Sequence, residues 1–144
     1  MYVKERKAFT MLELIFVIAV IGILSAIAIP KFAITKNDAV ISKTKTTIAS
    51  VRSALATERQ QRILRGEFAD LNTTSIGNNF ANLLEYQVKD CNSTNCDGWT
   101  TGGSATAPTY TFYGPGGNVV FKLIKNRLVC DTSTPNPNHC AKYE

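Results

Sequence analysis

The sequence predicts an α+β chain in which a long N-terminal α-helix, apolar in its first half and amphipathic in its second, packs on a small antiparallel β-sheet head. Three patterns predict it. Residues 9–29 form an apolar run whose one charge is Glu13; Ile41, Ile48 and Leu55 recur every seven residues; and two strand-like segments, 109–113 and 119–124, flank a glycine- and proline-rich turn. The chain has 144 residues and a net charge of +5.

The apolar run follows a small basic leader, residues 1–8, with Lys4, Arg6 and Lys7 against Glu5. It holds thirteen Leu, Ile, Val or Phe residues. Each favours insertion by roughly 0.3 to 0.6 kcal/mol near a bilayer centre, so the run outweighs one carboxylate by several kcal/mol. As a helix it spans about 30 Å, the hydrocarbon thickness of a membrane. Gly22 and Pro30 punctuate it: glycine lowers helix propensity, and proline cannot donate to the carbonyl four residues back. A weakened stretch or break from Gly22 to Pro30 is expected, a tolerated kink being the alternative.

Glu13 is the residue most in need of a function, because a charge within hydrocarbon costs roughly 2.5 to 3.5 kcal/mol at a helix centre and requires a partner. The stretch contains no cation. Snorkelling into the headgroups is one answer. Its surroundings suggest another. The run Lys7-Ala8-Phe9-Thr10-Met11-Leu12-Glu13-Leu14-Ile15-Phe16-Val17 resembles the processing signal of type IV prepilins and of the pseudopilins of type II secretion systems. That resemblance extends from Arg6 to about Phe32.

The resemblance implies a pilin-like fold and a structural filament subunit. A prepilin peptidase would cut between Ala8 and Phe9 on the cytoplasmic side of the inner membrane and methylate the Phe9 amine. The family usually has Gly before the cut, and Ala8 keeps a small residue there. Glu13 matches the family's acid, which pairs with the positive terminus of a neighbouring subunit's Phe9, and Thr10 fills the polar position beside that amine. Gly22 and Pro30 fall where such helices locally unwind in assembled pili. Partners implied are other pilin-like subunits in a homo- or heteropolymer, the inner-membrane assembly platform, and membrane lipid before assembly. The filament would be periplasmic or on the cell surface. The physics is compatible: an α-amine with a pKa near 8 is largely charged at neutral pH, and leaving either ion unpaired in apolar surroundings is expensive.

A secretory peptide cut after Ala26-Ile27-Ala28 is a rival; Glu13, the length of the run and Pro30 beside the cut argue against it. Positive charge does not choose an orientation, since Lys31, Lys36, Lys43 and Lys45 flank the far side. Domain boundaries follow: 1–8 leader, 9–30 membrane and assembly helix, 31–66 amphipathic half, 67–144 head.

Beyond Pro30 the helix continues to about Arg65, with Val51 and Ala54 filling the face between the heptad positions and Gly66 as the stop. The stripe from Ile41 to Ile63 needs cover, and the head supplies it; a coiled-coil seam is the alternative, with Thr44 interrupting it. Residues 67–103 read as a long connector with one short helix at 80–86. Strands at 109–113, 119–124 and 127–130 make a meander, and the tail 132–139, with Pro135 and Pro137, reads as an irregular loop.

The core is thin for a head of this size, with Trp99, Tyr110, Phe112, Phe121 and Leu123 as its bulky members, so covalent staples are expected. Four cysteines in a chain entering an oxidising space read as two disulfides of open connectivity, the favoured pairing being Cys91 with Cys96 and Cys130 with Cys140. The second is similar to the disulfide-bounded loop of type IV pilins. A zinc site using these thiols and His139 has irregular spacing. Asp97 or Asp131 as calcium ligands lack a dense run of oxygen donors. Asn72 and Asn92 head N-x-[ST] acceptors of the kind expected by chance in an Asn/Thr-rich connector.

Residues 31–65 carry eight basic and two acidic side chains, and residues 67–144 carry five and seven. Opposite signs favour pairing between helix and head; nucleic-acid binding is a weaker possibility without basic-aromatic interleaving. A single histidine, scattered acids and no phosphate-cradling loop point away from an enzyme, and no cofactor or metal is called for. The sequence reading is therefore a pilus-like subunit, with a pseudopilin or a DNA-uptake pilin as alternatives.

Overall fold

The computed structural model describes residues 9–93, 96–115, 117–133 and 138–143, the side chains of residues 33, 138 and 139 apart. In order they form α1 (Met11–Leu64), α2 (Thr73–Ile76), a 3₁₀ turn (Asn78–Phe80), β1 (Gly98–Gly103), β2 (Pro108–Gly114), β3 (Gly117–Ile124), β4 (Arg127–Cys130) and α3 (Asn138–Tyr143). The leader with Ala8, the turn residue Gly116, and Pro135 and Pro137 of the tail lie outside the described residues. Two compact units divide between Asn37 and Asp38.

In the first unit α1 runs without interruption through Gly22 and Pro30, so the break expected there is not present in this chain on its own. The reason is geometric. Proline's fixed φ is already helical, and although it removes one backbone hydrogen bond and its ring crowds the carbonyl four residues back, an apolar helix of this kind tolerates such a site. No atom lies within 4 Å of a Cβ built on Gly22, so that glycine is not demanded by packing within the chain.

In the second unit α1 buries Ile48, Val51 and Leu55, with Val40 and Ile41 half-buried beside them. Thr44 does not interrupt this face but belongs to it. Thr44 and Thr47 are both buried, and their hydroxyls donate to Val40 O at 2.8 Å and Lys43 O at 3.0 Å. Each threonine thus hides its polar atom in its own helix and offers its methyl to the core. The stripe ends at Leu55; Ile63 and Leu64 are exposed rather than covered. The helix stops at Gly66, whose φ of +81° closes a double reverse hydrogen bond: Glu67 N–H donates to Arg62 O and Gly66 N–H to Ile63 O.

The sheet is antiparallel in the order β1-β2-β3-β4. Alternation along β2, β3 and β4 sends Tyr110, Phe112, Val119, Phe121, Leu128 and Cys130 to the core. Trp99 of β1 is the centre of the aromatic packing, 5.3 Å from Phe80, 5.2 Å from Phe112 and 5.6 Å from Phe121 between ring centroids. β1 was not expected from the sequence, because its three glycines dilute any strand signal. One of them is obligatory: a Cβ on Gly98 would sit 2.6 Å from Lys89 O, where residues 89–91 bond to Trp99 as a short parallel bridge.

The connector also departs from expectation, since no helix occupies 80–86. Helical turns fall earlier, at α2, where the Asn72 side chain caps the N–H of Ser75, and at Asn78–Phe80. Asn79 and Phe80 both have positive φ, a strained pair. Contacts on both residues hold it: Asn79 N–H donates to Thr101 Oγ1 at 2.7 Å, Thr101 Oγ1 donates back to Asn79 Oδ1 at 3.0 Å, Asn79 Nδ2 donates to Asp90 Oδ1 at 2.8 Å, and the Phe80 ring stacks on Tyr110 at 4.2 Å. At the other end of the sheet Lys125 and Asn126, again both at positive φ, make the two-residue β3–β4 turn. Asn126 then ties the connector to it, accepting from Leu71 N–H and donating to Asp70 Oδ1, each at 2.6 Å.

Cys91 is bonded to Cys96 and Cys130 to Cys140, leaving none of the four thiols free for a metal. The second bond joins the end of β4 to α3, a helix beginning within the expected loop. It holds Tyr143 against Phe112, ring centroids 5.4 Å apart, with Lys142 Nζ and Tyr143 Oη donating to Pro115 O. Between the two cysteines Asp131 accepts from Lys122 Nζ at 2.6 Å and from Ser133. The Lys122 hydrogen bond, then those from Ser133, lower its carboxyl to about 2.

Three outcomes follow from this head. Replacing Cys130 and Cys140 together by alanine should lower stability by about 2 to 3 kcal/mol in denaturant titration, the loop-closure entropy of a ten-residue separation. Tyr110 is fully buried, its hydroxyl has no hydrogen-bond partner among the described residues, and burial pushes it up to about 12. Tyr110→Phe should therefore be neutral or raise stability by about 1 to 3 kcal/mol. The Asp131 carboxylate is favoured in the fold, so its contribution is complete above the ordinary value of 3.8 and is lost as pH falls from there toward 2. Melting curves of Asp131→Asn should show a flatter acid limb in that window.

Candidate functional site

Every described side chain of residues 9–32 is exposed within the chain, Phe9 at 75% and Met11 at 80% among them. Soluble monomers rarely expose more than a few hundred Å² of contiguous apolar surface. This half of α1 is long and apolar enough to cross a membrane, and its burial-free window is unlike that of a core helix. It marks a surface that lipid or other protein must cover.

At the start of that surface the two polar residues singled out from the sequence meet. Thr10 is the residue before α1, and Glu13 lies in its first turn. Glu13 N–H donates to Thr10 Oγ1 at 3.3 Å; in return Glu13 Oε2 accepts from Thr10 N–H at 3.3 Å and from Thr10 Oγ1–H at 3.2 Å. This is a reciprocal capping box, in which two otherwise orphaned N–H groups at a helix start each gain a side-chain acceptor. The T-x-x-E spacing of Thr10 and Glu13 is the sequence signature of such a box, so the nearest partner of the carboxylate is a backbone donor and not a cation. The positive end of the helix dipole adds to the preference for an acid in this turn.

The box changes the account of Glu13. Its carboxylate is held toward the N-terminal end of α1, beside Thr10 and one residue further from Phe9. The capping bonds are at the long end of hydrogen-bond range and engage one of the two carboxylate oxygens. Gly22 and Pro30 sit farther along the same exposed helix, and the four cysteines lie in the head, away from this cluster in sequence. Among the described residues no group of three or more His, Cys, Asp or Glu side chains is arranged to hold a metal ion.

Comparison with known proteins points to the same segment. Residues 3–29 match the family model described as the prokaryotic N-terminal methylation motif. Over 64 residues the chain is 42% identical to a fimbrial protein of Pseudomonas aeruginosa, a match covering 44% of this chain and 39% of that protein; a second fimbrial protein of that organism matches equally. Over 52 residues it is 48% identical to the type IV narrow pilus major component PilA5 of Thermus thermophilus, covering 36% of this chain and 45% of that one. The chain thus spans less than half the length of the relatives it matches. No solved structure matches it. Together with the long helix and four-stranded antiparallel sheet, the architecture is α+β and pilin-like.

Proposed function

We propose that this chain is a structural subunit of a type IV pilus-like filament. Its precursor is held in the inner membrane by residues 9–30, amino terminus in the cytoplasm. Prepilin peptidase cuts between Ala8 and Phe9 and methylates the Phe9 amine, and the trimmed helices then pack together on the assembly platform. The role is mechanical rather than catalytic. The observation that carries it is the wholly exposed apolar half of α1 headed by the Thr10 and Glu13 cluster, within a stretch that matches the methylation motif. The names of these relatives, fimbrial protein and pilus major component, favour a pilus over a secretion pseudopilus.

In this reading Glu13 exchanges or shares its cap for a charge. The new amine of a neighbouring subunit's Phe9 is a cation in apolar surroundings, and the carboxylate is the one acid in residues 9–30. Between helices in low dielectric the attraction is strong, but so is the cost of dehydrating both ions, so the pair acts chiefly on register: only a stagger that brings the two together is tolerated. Gly22 and Pro30, the weakest points of α1, are where the packed helix would lengthen.

Two substitutions separate the capping role from the charge. Glu13→Gln keeps a capping-box side chain and removes the anion, whereas Glu13→Leu removes both. Both variants should insert and be trimmed to a product beginning at Phe9, as read by the mass of the amino terminus, and neither should give sheared surface filaments. Normal filaments from Glu13→Gln would defeat the ion pair, and a natural product beginning beyond Ala28 would defeat the whole reading.

A further inference from the structure

The filament reading leaves open how the heads meet, and the sheet's two edges differ in a way that bears on it. On the β4 side the second half of α1 and the edge strand enclose an open groove of about 1280 Å³. Its walls are fixed. Arg52 Nε donates to Leu128 O at 3.3 Å, closing part of the exposed edge of β4, and Arg59 Nη1 donates to Phe68 O and Ala69 O. The β3–β4 turn places Lys125 and Arg127 at the rim; both are exposed, and neither has an acidic partner among the described residues. The acid that lines the groove, Asp70, already accepts from Asn126. Ile124 at 50% and Val129 at 41% exposure give it an apolar lining. The groove therefore suits an acidic residue next to an aromatic one.

Such a pair stands at the opposite edge. Residues 86–89 lie beside β1, the first strand of a sheet whose last is β4, and are fastened there by the bond from Trp99 N–H to Lys89 O at 2.8 Å. Glu85 is exposed without a cationic partner among the described residues, and Tyr86 next to it is 50% exposed. Glu67 and Phe68 are a second exposed acid and aromatic, but they adjoin the groove itself through Arg59. A contact made by them would join like faces and close into a pair. A contact from the β1 edge to the β4 edge joins unlike faces, the kind of contact that repeats as an open filament wherever its rotation does not close a ring.

We infer that in the filament Glu85 and Tyr86 of one copy dock into the basic, apolar groove between α1 and β4 of the next, Glu85 facing Lys125 and Arg127 and the Tyr86 ring lying against Ile124 and Val129. This rests on the filament reading and specifies its head-to-head contact. The partner is a second copy of this chain, chosen by charge and by the need for an open repeat.

The test is made on the full-length chain in cells that export it. A photo-crosslinking benzoylphenylalanine at position 86 should join to the peptide containing residues 124–129 of another copy. Arg127→Glu should lower filament yield roughly tenfold, as like charges are forced together, and adding Glu85→Arg should restore it. Filaments in which the probe at 86 links elsewhere remove this contact and leave the filament reading standing. A link from a probe at 68 with only closed dimers, or a missing link together with Arg127-dependent retention of a short DNA duplex by the detergent-solubilised chain, would also overturn it. If the wild-type chain forms no polymer, both readings fall together.

Discussion

Among the described residues, none covers the apolar surface of α1 between Phe9 and Phe32, and this constraint shapes the rest of the molecule. Thirteen large aliphatic or aromatic side chains lie within residues 9–29, and each is worth about 1.5 to 3 kcal/mol when taken out of water. Exposure to solvent is thus forbidden by tens of kcal/mol. Moving the helix from lipid into a bundle of like helices gains little by comparison, because one apolar surround replaces another. Packing shape and the few polar groups then decide whether and in what register the helices associate. That is why one carboxylate carries so much of the proposed mechanism, and why its local cap is informative about the state before assembly.

The head solves a different problem. Its core is one aromatic cluster around Trp99, and the chain spends little regular structure on reaching it. Long-range ties do the work instead: Asn126 to residues 70 and 71, Arg59 to residues 68 and 69, Arg62 to Ser75, and the disulfide that holds α3 on Phe112. The strained backbone at Asn79 and Phe80 survives because Thr101, Asp90 and Tyr110 specify it from three sides. The buried hydroxyl of Tyr110 is a cost the cluster tolerates.

What could be read in the sequence was what repeats. The heptad of Ile41, Ile48 and Leu55, the alternation in β2 and β3, and the glycine at the end of α1 each follow from a short local rule, and the structure places them accordingly. Features set by distant contacts could not be read that way. β1 exists because Gly98 lets residues 89–91 approach its backbone. Thr44 looks polar until its hydroxyl is seen bonded inside the helix. The turn at 78–80 depends on partners in β1, β2 and at Asp90, and a propensity scan sees none of them. The capping box is a different case, since its T-x-x-E spacing is local and legible; a lone acid in an apolar run demands a counter-charge, yet the nearest group that answers it is a backbone N–H.

That box has one more implication. In the proposed maturation one residue, Phe9, separates the scissile bond from Thr10, whose hydroxyl and N–H are already engaged with Glu13. Severing the leader would therefore leave the coil behind it fastened at its first turn, with no unravelled end to be rewound and with its anion still held by its own backbone until a neighbour's amine arrives.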